Sequence, residues 1–423
     1  MMRTVEEKET AMEMQPAQLE ALKKQLKGLK ERSPFYAKKF EGIDLDDIQS
    51  QADFEKLPFS EKADLRDAYP LGLAAVPEEK IVRIHSSSGT TGTPVIIPYT
   101  KKDVEDWAIQ FARCYEYAGV TPQDRVQITP GYGLWTAGIG FQAGCERLGA
   151  MAVPMGPGNT DKQLQFMIDM QTTVFTATAS YALLIAEEVE RRGIKDQIKL
   201  KKLITGSERA GEKIRKRICD ALDVEYYDIY GLTEVYGPGI GINCEHGNGM
   251  HVWSDYVYVE IIDPETGEVL PDGEPGEIVL TTLQKEGAPL IRFRTHDLSR
   301  IIPGSCPCGH DEHPRIDVIV GRSDDMMKIH GVNVFPSQIE EIISHFEDAS
   351  SEFQIRLSHL DGRDTMRLYI EAVSGMVDFQ DLGRRVGIAV KSKIGFTPLV
   401  KVVELGVLPR SEKKTKRVFD ERE

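Results

Sequence analysis

The chain has 423 residues, 41% of them apolar and 28% charged, with a formal net charge of -15. That length predicts two or three domains. The acidic balance excludes general nucleic-acid binding and docking on an anionic membrane surface, both of which need a basic footprint. No run of about 20 apolar residues occurs, so no membrane-spanning helix is expected, and the charged start "MMRTVEEKET" lacks the apolar stretch of a signal peptide. The expected location is cytoplasmic.

Residues 16–40 place Leu19, Leu22, Leu26 and Leu29 at spacings of three and four, which predicts a packed helix face. A glycine- and hydroxyl-rich stretch, "SSGTTG", then lies between strand-like "KIVRIH" and "PVIIPYT". Beyond it, helical patterns ("DVEDWAIQFARCYEYAG", "QLQFMIDM", "SYALLIAEEVERRG", "GEKIRKRICDAL") alternate with short strand patterns ("DRVQITP", "TVFTATA", "KLITG", "VEYYDIYG"). Such alternation predicts an α/β fold with a largely parallel sheet. From about residue 250 the text becomes strand, turn, strand, punctuated by Pro, Gly and Asp, as in "VYVEIIDPETGEVLPDGEPGEIVLTTL". We therefore expect a large domain over 1–323, β-rich from about 250, followed by a small α+β domain over 324–423.

The glycine- and hydroxyl-rich stretch has a chemical use. Gly89 and Gly92 let the backbone turn and expose its N–H groups, and Ser88, Thr90 and Thr91 add hydroxyl donors, so the loop can cradle a polyphosphate. It is not a Walker loop, because the G-x-x-x-x-G-K-[ST] spacing is absent. The plain alternative is a turn rich in hydrogen-bonding residues. Downstream, "YDIYGLTEVYGPG" sets Tyr230 and Gly231 just before Thr233 and Glu234. An aromatic ring here can stack on a base, and the carboxylate can hold a magnesium ion that travels with a triphosphate. "FRTHDL", "GRSDDMMKIHGVNVFPSQIEEI" and "LPRSEKKTKR" follow. Alone, the last reads as a solvated basic tail.

These blocks, in this order, resemble the adenylate-forming acyl-CoA synthetases, in particular the phenylacetate–CoA ligases. "LPFSEKADLRDAYPLGLAAVP", "GYGLWTAGIG", "GMHVWSDYVYVEIIDPETGEVLPDGEPGE" and "GRSDDMMKIHGVNVFP" carry the same resemblance, which runs from about residue 18 to 418. It implies an AMP-forming ligase that uses ATP, Mg2+ and coenzyme A to activate an aromatic acid, with a homodimer as a family expectation. Ser88, Gly89, Thr90, Thr91 and Gly92 would hold phosphate. Gly206, Ser207 and Glu208 would line one side of the adenine, and Asp228, Ile229, Tyr230 and Gly231 the other. Asp297 would take the ribose hydroxyls with help from Arg322. Thr233, Glu234 and Lys414 would be catalytic, with Glu234 on magnesium; Lys413 or Lys416 are alternatives to Lys414, because the family carries Gly-Lys where this chain has Lys413–Lys414. Asp324 matches the hinge between domains. Tyr132, Gly133, Trp135 and Tyr236 would wall the acid pocket, Trp135 standing where relatives often have Phe.

Six cysteines occur, and Cys114, Cys145 and Cys219 read as small buried hydrophobes. "NCEHGNGMH" and "SCPCGHDEH" are different. Cys244, His251, Cys306 and Cys308 form a candidate structural zinc set, with His246 as the alternate imidazole; reduced thiols with surface histidines are the plain alternative.

Overall fold

A computed structural model describes residues 11–87, 93–134, 137–329, 332–360, 363–410 and 415–422. Among them, short parallel strands carry the large domain. Met151–Pro154, Arg125–Ile128, Val174–Ala177, Lys202–Thr205 and Glu225–Leu232 lie side by side in that order, all parallel. The helices Ala137–Leu148, Thr160–Asp169, Ala179–Arg192 and Glu212–Leu222 lie between successive strands in sequence. Val174–Ala177 is buried at every position. That accounts for the continuous apolar strand text, because a parallel sheet covered on both faces has no polar side to alternate with.

The sheet then changes character. Glu225–Leu232 pairs antiparallel with Gly237–Asn243, which pairs with Met250–Val252, and Arg315–Ile316 and Ile301–Ile302 complete the edge. The change falls in the turn that holds Thr233 and Glu234. A second, antiparallel sheet contains Val257–Ile262, Gly276–Thr282, Phe293–Ser299 and Gly321–Arg322. This is the β-rich segment expected after residue 250.

The last unit packs the helices Pro336–Ser344 and Phe379–Ile394 on a four-stranded sheet. Its centre is the antiparallel pair Ala349–Leu360 and Arg363–Ala372, flanked by parallel Val418–Asp420 and Leu399–Val403. Ile339, Ile355, Leu368 and Val386 meet in its own apolar core.

The expected helix over 16–40 is three helices, Pro16–Leu26, Leu29–Arg32 and Pro34–Lys39. Gly28 interrupts them in the left-handed conformation at φ 64°, and Pro34 starts the third at its first position. The leucine stripe nonetheless faces inward, with Leu22, Leu26 and Leu29 buried against Tyr258 and Ile291. Among the described residues, no helix is long and apolar enough to cross a membrane.

Candidate active site and metal cluster

In open parallel sheets, ligands gather beyond the carboxyl ends of the strands. Here those ends bring together the turn Gly131–Gly133, Ser180, Gly206–Glu208 and Thr233–Glu234. Gly206 is required by close approach: a Cβ there would sit 2.8 Å from the Ile229 carbonyl oxygen on the adjacent strand. Ser207 follows with φ 71°, an uncommon conformation for a residue bearing a Cβ. The Asp228 amide donates to Asn243 Oδ1 at 2.6 Å and its carboxylate accepts from Thr205 Oγ1 at 3.2 Å. Burial pushes that carboxyl above the usual range.

Tyr230, Asp297 and Arg322 converge from three strands in two sheets. The Tyr230 hydroxyl donates to Asp297 Oδ2 at 2.8 Å, and Arg322 Nη1 donates to Asp297 Oδ1 at 3.1 Å. Asp297 and Arg322 are register partners across Phe293–Ser299 and Gly321–Arg322. Burial raises the Asp297 carboxyl, and Arg322 opposes that rise. Arg322 also grips Asp324 with two bonds, 2.8 and 2.9 Å, where the chain leaves the large domain. Tyr230 itself lies on a strand beside a register shift, not in a glycine turn, and only 7% of it is exposed.

The tail reaches the same strand ends. Glu208 accepts from the Ser180 amide at 2.6 Å and from the Thr415 amide at 3.1 Å, and the Ser180 and Thr415 hydroxyls lie 2.6 Å apart. Thr415 directly follows Lys414 in the chain; Lys413 and Lys414 themselves lie outside the described residues. So do Ser88, Gly89, Thr90, Thr91 and Gly92, and Trp135. The flanks of the hydroxyl-rich loop are placed: Arg83–Ser86 and Ile96–Tyr99 pair antiparallel, the Ser87 amide donates to the Val95 carbonyl at 3.2 Å, and the Ser86 amide donates to the Leu134 carbonyl at 3.0 Å.

Glu234 is 4% exposed, and Lys62 Nζ stands 2.9 Å from its Oε1. That contact is an ion pair without good hydrogen-bond alignment, so the oxygen keeps coordinating capacity. A hard carboxylate oxygen at the strand ends fits a magnesium ion that bridges to phosphate. Tyr132 is half-buried; burial pushes its hydroxyl up to about 12, and that hydroxyl has no partner among the described residues. Gly133 beside it has φ 94°. Tyr236, expected in the pocket wall, is instead fully buried with its ring centroid 4.8 Å from the Lys285 ammonium. A buried cation needs an aromatic face, and that demand takes the ring away from any accessible wall. Sequence reading missed both Lys62, at the start of the helix Lys62–Asp67, and Lys285, because a lone lysine in the sequence signals only solvent.

The cysteine motifs converge as well. The ligand atoms of Cys244, His251, Cys306 and Cys308 all lie within 4.8 Å of one another. Cys244 and Cys306 sulfurs are 3.7 Å apart, and Cys308 Sγ is 3.4 Å from His251 Nε2. A tetrahedron with Zn–S of about 2.3 Å has edges of about 3.8 Å, so the cluster fits zinc. His251 Nδ1 faces the His313 carbonyl at 3.3 Å, which fixes the ring. His246, the alternate imidazole, lies outside the cluster beside Glu245. The edge pairing of Arg315–Ile316 with Met250–Val252 brings the two motifs together.

Residues 13–284 match the AMP-binding enzyme family, and residues 331–422 match the AMP-binding enzyme C-terminal domain. The chain belongs to the AMP-binding enzyme family. It is similar to the phenylacetate-coenzyme A ligase of Pseudomonas putida, 42% identical over 96% of this chain and 93% of that one. A relative of the same name from Escherichia coli is 41% identical over 96% and 95%. Among solved structures, 2-hydroxyisobutyryl-CoA ligase in the postadenylation state with 2-HIB-AMP superposes with a TM-score of 0.88 at 27% identity, covering 100% of this chain and 94% of that one. The same ligase in the thioesterification state, with CoA also bound, gives 0.69 at 29% identity over 97% and 91%. As an AMP-binding enzyme, this chain therefore has the adenylate-forming fold, with an N-terminal AMP-binding domain and a small C-terminal domain.

Proposed function

We propose that the chain is an AMP-forming ligase that activates phenylacetate, or a closely related aromatic acid, and passes the acyl group to coenzyme A. The observation that carries this reading is the meeting of Tyr230, Asp297, Arg322 and the Thr415 segment around the strand ends. These residues are far apart in sequence, and their hydrogen bonds gather them near the carboxyl ends of the strands, where open parallel sheets bind ligands. The similarity to full-length phenylacetate-coenzyme A ligases supports the choice of acid.

In the first step the acid's carboxylate oxygen attacks the α-phosphorus of ATP, the P–O bond to pyrophosphate breaks, and pyrophosphate leaves. In the second, the thiol of coenzyme A, losing its proton, attacks the acyl carbonyl and AMP leaves with the bonding pair. Asp297 accepts ribose hydroxyls, with Arg322 holding its second oxygen. Gly206, Ser207 and Glu208 face one side of the adenine, and Asp228 to Gly231 the other. The Ser88–Gly92 loop and Thr233 contact the phosphates. Magnesium on Glu234 would neutralise phosphate charge as it develops. Lys414 brings a flexible ammonium to the carboxylate and α-phosphate oxygens. Tyr132, Gly133 and Trp135 shape the acid pocket. Asp324 is the hinge between a domain over 1–323 and one over 324–423; its turn absorbs the rotation that withdraws Lys414 and admits the thiol. Cys244, His251, Cys306 and Cys308 would hold zinc in a structural role, since four protein ligands would leave no open position.

The test is AMP formation with phenylacetate, with and without coenzyme A, against a panel including other aromatic acids, fatty acids and 2-hydroxyisobutyrate. CoA-dependent AMP release that is fastest with phenylacetate is expected. A different best acid would replace the substrate and keep the chemistry; no turnover with any acid would overturn the ligase. Lys414→Ala is expected to abolish most pyrophosphate release, and wild-type release in that variant would move the role to Lys413 or Lys416.

A further inference from the structure

Lys285 is fully buried. Its ammonium donates to the Val235 carbonyl and lies 4.3 Å from the ring centroid of Tyr99 and 4.8 Å from that of Tyr236. Val235 directly follows Glu234. The Tyr99 hydroxyl donates to the Tyr236 carbonyl at 2.8 Å, so the same turn is held twice. Tyr99 ends Ile96–Tyr99, the strand that leaves the hydroxyl-rich loop. The segment carrying Lys285 is itself clamped. Asp103 accepts from the Glu286 and Gly287 amides, each at 2.8 Å, Thr100 Oγ1 donates to Glu286 at 2.9 Å, and Gln25 donates to the Lys285 carbonyl.

One side chain thus joins the strand leaving the candidate phosphate loop to the turn that presents Glu234. Burying an ammonium is costly, and no carboxylate among the described residues bonds to this one. Burial lowers Lys285 to about 7, and the charges of Asp103 and Glu234 oppose that fall and favour its protonated form. Packing alone would be served as well by an apolar side chain of similar volume. The cation is explained if its charge and its reach to Val235 fix the Glu234 carboxylate.

We propose that Lys285 is a positioning residue for Glu234 in the adenylation half-reaction, holding the 233–236 turn so that the carboxylate meets the metal and phosphates in one orientation. The inference rests on Glu234 as the magnesium carboxylate. Supporting residues behind a metal ligand typically cost about 10- to 100-fold in metal affinity or activity when changed.

The experiment compares full-length wild type, Lys285→Met, Lys285→Arg, Glu234→Gln and the Glu234→Gln/Lys285→Met double variant. Three quantities are read: pyrophosphate release across a magnesium titration, calorimetric ATP binding with and without magnesium, and thioester formation from synthetic phenylacetyl adenylate and coenzyme A. Lys285→Met is expected to lose about 10- to 100-fold in adenylation and to weaken magnesium-dependent ATP binding. It is expected to leave thioester formation within about twofold, and Lys285→Arg to recover part of the loss. In the Glu234→Gln background the lysine change should add little, because the two act as one unit. Equal losses in both half-reactions, or unchanged magnesium dependence of ATP binding, would overturn the proposal. If Glu234→Gln alone leaves that dependence intact, the magnesium reading falls and the proposal with it; if Glu234→Gln removes it and Lys285→Met does not, only the proposal falls. Should Lys285→Met not fold, Tyr99→Phe frees the same turn at the Tyr236 carbonyl, and an unchanged ratio of the two half-reactions in it would be equally fatal.

Discussion

The Tyr230 hydroxyl donates to Asp297 at 2.8 Å, joining the mixed sheet to the antiparallel one at the point where the strand ends open. The bond orients a buried carboxylate whose other oxygen is held by Arg322. Removing one partner of a buried hydrogen-bonded pair costs about 1–3 kcal/mol. Tyr230→Phe is therefore expected to weaken ATP binding roughly 5- to 100-fold on that basis. Titration calorimetry with ATP checks it, and unchanged affinity would detach the pair from nucleotide binding.

The two domains are latched by charge. Glu187 of the large domain pairs with Arg410 of the small one at 3.4 Å. Lys213 donates to the Phe346 carbonyl at 2.7 Å and to the Ala349 carbonyl, and Arg209 pairs with Glu340. These contacts belong to the arrangement seen here, and a rotation of the small domain would break them. Lys213→Met is expected to slow pyrophosphate release up to about tenfold, the equivalent of about 1.4 kcal/mol, while thioester formation from the adenylate is unchanged or faster. Parallel slowing of both steps would mean that Lys213 supports the fold and not the choice of state.

Cys306→Ser removes one thiolate from the Cys244, His251, Cys306 and Cys308 cluster. Elemental analysis of protein purified without chelators should find about one zinc per chain in the wild type and little in the variant. A lower melting temperature should follow, because metal binding contributes to folding. Zinc-free wild type with the same melting temperature would return these residues to ordinary thiols and histidine.

Glu277 supplies a pH signature. Its side chain is fully buried, which opposes ionisation, yet bonds involving His296 and Arg294 outweigh burial and hold the carboxyl down to about 2, against 4.5 for an unperturbed glutamate. The folded value lies below the unfolded one. The contribution is therefore complete above about pH 4.5 and is lost as pH falls towards 2. It is worth on the order of 3 kcal/mol. Denaturant titrations between pH 6 and 3 should show a steeper loss of stability for wild type than for Glu277→Gln; parallel curves would remove Glu277 as the source.

Much of this protein was legible in its residues, and some of it was not. The helix and strand texts between 101 and 232 yield most of the elements found there, because apolar period is local and survives folding, but not the helix Ala137–Leu148 or the strand Met151–Pro154. The single helix expected over 16–40 failed at Gly28, where one residue of positive φ outweighs a regular leucine stripe. Tyr236 lies two residues after Glu234 and reads as pocket wall, but its ring packs on a lysine 49 positions away.

The sequence by itself determined the order of most elements and offered the candidates: the hydroxyl-rich stretch, the acidic and basic residues proposed for the site and the four zinc-binding residues. Each is a property of residue type and local spacing. Only the tertiary structure decided that His251 and not His246 joins the three cysteines, that Arg322 grips both Asp297 and Asp324, that Thr415 comes to Glu208, and that a buried lysine stands behind Glu234. Those facts depend on strand register and on contacts between segments more than 50 residues apart in most cases, which spacing along one chain does not encode.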